Sequence, residues 1–249
     1  MTRALAAVSI AFLWVGNAVL MHAQQAQHAP DGGTRETLTS IAVPPLQNTP
    51  FSATVQTEWT KYLADGATQL IQNHRLIARD SLGRVFQERA TFVAKDSPIA
   101  SQVTRTELAE PSTHTVAFCE MRTHVCELRP YVGPPATVPA GPLANRPGFV
   151  SENLGSQVLN GLDLIGTRET QTLNPIVAGS DRPIAVVKEF WYSRQLGLNV
   201  LTTRNDPRSG KEVFTVTDIH LGEPDATLFA MPAGFRVVDL RGVPTASIR

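Results

Sequence analysis

The stretch "FSATVQTEW", residues 51–59, decides the fold class of this 249-residue chain. Successive side chains of a β-strand point to opposite faces of the sheet, so residues two apart share a face. Here Phe51, Val55 and Trp59 share one face with Ala53 and Thr57, and mostly polar residues alternate with them. This period of two predicts a strand with one buried face.

Similar strands follow on both sides of the chain's midpoint. After a turn at "ADG", residues 68–80 read as a returning strand, and residues 84–93 as a third strand in which Phe86 and Phe92 share a face. In the second half, two strands pair through the turn dipeptide Asn160-Gly161, and three more strands and a closing "FRVVDL" follow. The pattern predicts about ten antiparallel strands and very little helix. The best helix candidate is residues 97–110, with Ser97 as cap and Pro98 in the first turn.

The two ends of the chain and one internal stretch predict its organisation. Arg3 followed by the apolar run "ALAAVSIAFLWVG" is typical of a signal peptide, residues 1–23, cut after Ala23; a retained membrane anchor is the alternative. Residues 24–48 predict a flexible lead-in, residues 49–241 the β domain, and residues 242–249 a tail. The proline-rich residues 130–149 predict a long excursion from the sheet. We therefore expect a periplasmic or secreted protein.

Cys119 and Cys126 are the chain's two cysteines, and their spacing places them opposite each other in a hairpin centred between residues 122 and 123. An exported protein meets oxidising conditions, in which such a pair forms a disulfide. Zinc is the alternative, since His124 would share their face, but a fourth ligand is missing and His114 would point to the other face. We expect the disulfide and no metal site.

Charge and motifs narrow the classes of function. The chain has 22 basic and 22 acidic side chains, which gives no reason to expect nucleic acid as a partner. It contains no G-x-S-x-G, H-E-x-x-H, G-x-x-x-x-G-K-[ST] or G-x-G-x-x-G motif. His74 and His220 lie in mid-strand, where a solvated sheet face explains them. We expect no catalytic residue and no cofactor, and a hydrolase with scattered residues is the remote alternative.

Two segments carry a resemblance beyond generic β pattern: "DGATQLIQNHRLIARDSLGRVFQE", and the region from "GLDLIGTRETQTL" through "GEPDATLFAMPAGFRV". Together they resemble a family of exported bacterial proteins of unknown function. That resemblance implies the fold of the periplasmic lipoprotein carriers of the LolA and LolB kind. The implied fold class is mainly β: a single antiparallel, strongly curved sheet, an open or half β-barrel, with one or two short helices.

A curved sheet of this kind presents a concave face to a greasy ligand or to its own core. The residues that we expect there as ligand contacts are aromatic or apolar: Trp59, Phe86, Phe92, Phe190, Leu228 and Phe229. The first hypothesis is a carrier that holds a lipid or another apolar group on this face. The alternative is an envelope interaction or structural protein with a self-filled core, which docks another envelope protein by a sheet edge or by the proline-rich excursion.

Overall fold

The computed structural model describes residues 41–132 and 147–242. The predicted signal peptide, most of the lead-in, the interior of the proline-rich excursion and most of the tail lie outside these ranges. Within them, no helix has both the length and the apolar character that crossing a membrane requires.

Thirteen strands in the described residues form one sheet. They are β1 Phe51–Tyr62, β2 Thr68–Arg79, β3 Val85–Ala90, β4 Val93–Ala94, β5 Val103–Glu110, β6 Thr115–Glu120, β7 Val125–Pro130, β8 Phe149–Leu159, β9 Leu162–Leu173, β10 Ile184–Ser193, β11 Leu198–Asp206, β12 Gly210–Leu221 and β13 Arg236–Asp239. The helical segments are short: α1, Pro175–Ala178, and the 3-10 helices Pro111–Thr113 and Ala226–Phe229.

The spatial order of the strands is β13-β7-β6-β5-β3-β2-β1-β12-β11-β10-β9-β8, with β4 paired to β2 beside this path. The sheet is curved and not closed, as the predicted fold class requires. Neighbouring strands are antiparallel except at one edge, where β13 runs parallel to β7. The centre is the pairing of β1 with β2 on one side and with β12 on the other, so the two halves of the sequence meet there.

The predicted helix at residues 97–110 is wrong. Residues 103–110 are strand β5, which pairs with β3 and β6, and Pro98 lies in the connection before it. The reason is that two charged residues, Arg105 and Glu107, lie on the face of β5 that also carries Ala109, and Glu107 is buried there. The apolar alternation by which a strand is recognised is therefore absent from this segment.

The two faces of the sheet differ, and the register identifies them. We call the strap face the one that carries Phe51, Val55 and Trp59, because residues 41–46, here named the strap, contact it. The other face, here the back face, carries Ala78, Phe86 and Leu108, which are opposite one another on β2, β3 and β5. Strict alternation of buried and half-buried residues along β1 confirms the strand predicted from residues 51–59.

The segment that follows β12 packs on part of the back face. Phe229 packs on Ala78 and Phe86, with Leu76, Leu108 and Leu228 around them. The turn that brings Phe229 there is capped by Asp225, whose Oδ1 accepts a hydrogen bond from the Thr227 N–H at 2.9 Å. Phe229 is therefore buried on the back face, and Leu228 beside it is half-buried.

The predicted disulfide joins Cys119 to Cys126, which are opposite each other in the β6–β7 register. Both cysteines are on the back face, among Ala117, Leu128 and Phe235. His124 packs edge-on against Phe235, with ring centroids 5.0 Å apart. The disulfide thus fixes the hairpin against which the last strand, β13, is paired.

Candidate ligand-binding face

The strap face has an apolar half on β1 and the strands beyond it. In this half the register places Val55 of β1 opposite Val216 of β12, and Thr57 opposite Phe214. Its buried apolar side chains are Phe51, Ala53, Val55, Trp59, Phe214 and Val216. The buried polar side chains on the same two strands are Thr57 and Glu212, and Glu212 is opposite Trp59. Around Val55 and Val216 the face is therefore mostly aliphatic and aromatic carbon.

The strap does not pair with any strand of the described sheet. In the described residues its only backbone-to-backbone hydrogen bond donated by one of its own N–H groups is internal, from Leu46 to the Pro44 carbonyl. Ile41 and Val43 are each only 4% exposed, so the end of the predicted flexible lead-in is packed. Leu46 lies directly over Gly197, whose φ is +67°, and a side chain at position 197 would collide with it. The strap is therefore held by side-chain contacts and by hydrogen bonds that arginines donate to its carbonyl groups.

Arg79 is the first of these arginines. It is fully buried at the end of β2 and donates to four carbonyl contacts: twice to Thr49, at 3.0 and 2.9 Å, once to Pro44 at 2.9 Å, and once to Leu196 at 2.7 Å. Its guanidinium also lies 5.0 Å from the centroid of the Phe51 ring. Burial lowers the pKa of Arg79 to about 10 despite the opposing effect of Tyr192. Arg79 thus fastens the strap and the turn around residue 196 to the sheet.

Arg75, four residues earlier on the same face of β2, is less well satisfied. It is 3% exposed and pairs with Val55 in the register. One Nη donates to the Ile41 carbonyl at 3.1 Å and the other to Oε1 of Gln87 at 3.3 Å, while Nε has no partner. Burial, with the nearby charge of Arg89, lowers the pKa of Arg75 to about 9, although Glu107 and Glu88 oppose this.

Next to Arg75 lies an ion-pair cluster on β3 and β5. Both oxygens of Glu107 accept hydrogen bonds at 2.8 Å from Arg89, and Oε1 accepts another at 2.7 Å from Arg105. Burial acts to raise the pKa of Glu107, but the hydrogen bonds and charges of Arg89 and Arg105 outweigh it, so the pKa is below its ordinary value. The strap face therefore changes from apolar to charged across β2.

The structure does not bring the six predicted ligand residues together. Trp59 lies on the strap face, and Phe92 packs edge-on against it with centroids 6.4 Å apart. Phe190 shares this face, because it pairs with Thr202, which is opposite Phe214. The other three predicted residues are on the back face: Phe86, Leu228 and Phe229. The six residues predicted to contact a ligand are therefore divided between the two faces of the sheet.

Sequence reasoning also missed Arg75 and Arg79. The motif "NHRLIAR" has apolar residues at both parities, so its pattern does not tell which face is buried. His74 is exposed, as expected, whereas its neighbour Arg75 faces the interior. A signal was present in the alternation Asn73, Arg75, Ile77, Arg79, which follows the same period as the buried residues of β1.

In residues 41–132 and 147–242, no group of three or more histidine, cysteine, aspartate or glutamate side chains is placed to hold a metal ion. His220 is exposed, and its Nδ1 lies 2.9 Å from the carbonyl oxygen of Asp218. The distinctive feature of the described residues is the strap face.

No protein-family model matches the sequence. No curated protein matches it either.

Several solved structures are similar in fold. MucB is 12% identical with a TM-score of 0.40, over 77% of this chain and 60% of MucB, so the chain spans less than two thirds of that protein. LprF from Mycobacterium bovis is 12% identical with a TM-score of 0.30, over 75% of this chain and 90% of LprF. A LolA superfamily protein from Nitrosomonas europaea is 11% identical with a TM-score of 0.27, over 72% of this chain and 90% of that one.

These neighbours include a LolA superfamily protein, which is the kind of protein that the sequence resemblance named. All three TM-scores are below 0.5. The proposals below therefore rest on the residues of this chain, whose structure is an open, curved, almost wholly antiparallel sheet with an apolar half-face beside a strap.

Proposed function

We propose that this chain is an exported binding or carrier protein that holds a lipid or acyl chain on the apolar half of the strap face. The observation that carries the proposal is the strap itself. It lies against the face that carries Phe51, Val55 and Trp59, yet it pairs with no described strand and is held by two arginines, two buried side chains and a contact with Gly197. Such a segment can be displaced without breaking the sheet.

The energies favour displacement by a long chain. Burying Ile41 and Val43 is worth about 3–6 kcal/mol together, at about 1.5–3 kcal/mol for each fully buried side chain. An acyl chain that buries about a dozen methylene groups gains about 10 kcal/mol on the same scale. The burial gained by a ligand of this length therefore exceeds that of the two strap side chains, and the difference is available to offset the cost of association and the strap's hydrogen bonds to Arg75 and Arg79.

Native mass spectrometry of full-length protein from the envelope fraction of its own cells tests the proposal. We expect a bound lipid mass, its loss on delipidation, and rebinding of hexadecanol as an uncharged probe. A spectrum without ligand, together with no binding of hexadecanol, contradicts it.

A strap variant sharpens this experiment. Ile41→Ala with Val43→Ala weakens the competitor, so hexadecanol should bind more tightly, by about tenfold or more if a few kcal/mol of burial are lost. Leu82→Ala with Ile99→Ala is the matched control, because those side chains are 66% and 65% exposed. The control should bind hexadecanol like the unmodified protein.

Strand β8 favours a second candidate, the docking of an envelope protein. It is an edge strand of eleven residues, and all except Phe149, Leu154 and Leu159 are exposed. A long exposed edge can accept a strand from another chain. A photoreactive residue at position 158 should then yield a protein adduct in the envelope. Such an adduct from protein that carries no lipid favours docking over carriage.

A further inference from the structure

Arg75 is a buried cation without an anion of its own. Within the described residues no carboxylate oxygen lies within ion-pair distance of it, and its hydrogen bonds are limited to a carbonyl and an amide oxygen at 3.1 and 3.3 Å. The nearest buried acid, Glu107, has both oxygens engaged by Arg89 and Arg105. A buried guanidinium that is not paired with a charge is costly for a fold to maintain.

The position of Arg75 suits the polar end of an amphiphile. In the register it is opposite Val55, which is opposite Val216, so it borders the apolar half. On its other side Gln87 leads to the charged cluster around Glu107. A chain that extends from Arg75 across β1 and β12 passes over Val55 and Val216. The same-face neighbours of these two residues are Ala53, Phe214 and one polar side chain, Thr57.

The strap already places an apolar side chain and a hydrogen-bond acceptor next to Arg75, but the acceptor carries no charge. The Ile41 carbonyl accepts from one Nη of Arg75 while the Ile41 side chain is buried beside it. A carbonyl is a neutral acceptor, whereas a carboxylate or phosphate forms shorter, charge-assisted and two-pronged hydrogen bonds with a guanidinium. The unpartnered Nε provides the second prong.

We propose that the ligand is an anionic amphiphile whose carboxylate or phosphate group replaces the Ile41 carbonyl on Arg75, with its hydrocarbon chain on the apolar half of the strap face. This inference rests on the proposed function and specifies its ligand class.

The test compares three probes of equal chain length on delipidated full-length protein: palmitate, hexadecyl phosphate and hexadecanol. We expect at least one acidic probe to bind about 10- to 100-fold more tightly than hexadecanol, the difference that a hydrogen-bonded charge typically makes. In Arg75→Met this preference should vanish while hexadecanol binding is retained. Arg75→Lys keeps the positive charge but loses the two-pronged donor geometry of the guanidinium, so this variant should retain part of the preference for acidic probes.

Arg182→Met, at an exposed arginine in the loop before β10, is the control and should preserve the preference. Whichever acidic probe binds more tightly distinguishes a carboxylate from a phosphate headgroup. Equal binding of all three probes overturns the inference and leaves the proposed function standing. A preference that survives in Arg75→Met, or a loss of hexadecanol binding equal to that of the acidic probe, also overturns it. Failure of every probe to bind removes the proposed function itself.

Discussion

Arg75 and Arg79 lie four residues apart on the same face of β2, and both are buried, yet only Arg79 is well satisfied. Arg79 makes four donor contacts to backbone carbonyls between 2.7 and 3.0 Å. Arg75 makes two longer ones and leaves Nε without a partner. Two arginines in such similar positions therefore have different roles: Arg79 fastens the chain, and Arg75 is the position that we assign to a ligand.

This contrast gives a stability prediction. Arg79→Met leaves the carbonyls of Pro44, Thr49 and Leu196 without their donor, so the free energy of unfolding should fall by about 3 kcal/mol or more. Arg75→Met should lower it by at most about 1 kcal/mol, or raise it, because replacing a poorly paired buried charge by an apolar side chain of similar size is often neutral or stabilising. Urea denaturation of both variants checks this. An equal decrease in the free energy of unfolding in both variants would mean that Arg75, like Arg79, stabilises the fold by holding the strap.

Phe229 provides a prediction about the back face. Phe229→Ala should destabilise the protein by about 3–5 kcal/mol, as for an enclosed aromatic side chain. Since Phe229 packs on Ala78 and Phe86, away from the strap, it should leave the affinity for hexadecanol unchanged. Leu228→Ala, at a half-buried neighbour, is the control and should cost less. A fall in hexadecanol affinity in Phe229→Ala, measured where the variant is fully folded, would place the ligand on the back face.

The disulfide gives a prediction that needs no ligand. Protein that has passed through the envelope should show no alkylation of Cys119 or Cys126 until it is reduced, and two added groups afterwards. Because the enclosed loop is short, Cys119→Ser with Cys126→Ser should lower the free energy of unfolding by at most about 2–3 kcal/mol. Mass spectrometry before and after reduction provides the first readout. Two thiols that alkylate freely in unreduced protein would contradict the bond.

Glu107 makes the free energy of unfolding depend on pH. Its pKa is below the ordinary value of 4.5, so the unfolded chain binds its proton first as the pH falls. The stability that Glu107 contributes is complete above pH 4.5 and is lost as the pH falls through the lower, folded-state pKa. Glu107→Gln should therefore flatten the decline of unfolding free energy below that pH. A decline identical to that of the unmodified protein would show that Arg89 and Arg105 do not stabilise the charged form.

The parts of the fold that the sequence predicted are those whose signal is local. The alternation in β1 survives because each buried position carries an apolar side chain or Thr57, and Asn160-Gly161 has the positive φ values, 52° and 76°, that its turn needs. Strand β5 was missed because charged Glu107 occupies one of its two buried positions and half-buried Arg105 lies on the same face, which leaves Ala109 as the only buried apolar residue of this strand. The parallel pairing of β13 depends on a contact with β7, more than a hundred residues away in sequence, which no local pattern encodes.

The candidate site was predicted only in part, for the same reason. Phe86 and Phe92 would share a face in an unbroken strand, but β3 ends at Ala90 and Phe92 leaves the ladder to meet Trp59. The packing of Phe229 on β2 and β3 determines which face of the sheet this residue covers. The turn sequence before Phe229 indicates only that the residue is buried. Arg75 looked like part of a solvated face because a charged side chain carries no pattern of burial.

The measurement that tests the central claim most directly is photoaffinity mapping with a diazirine-bearing hexadecanol on delipidated full-length protein. The probe is uncharged, so the result does not depend on the ligand class that we assign to Arg75. We predict saturable labelling of residues on the strap face of β1 and β12, around Val55, Phe214 and Val216, and competition by unlabelled hexadecanol. Labelling confined to the back face around Phe86 and Phe229, or no saturable labelling, would contradict the claim that the strap face holds an apolar ligand.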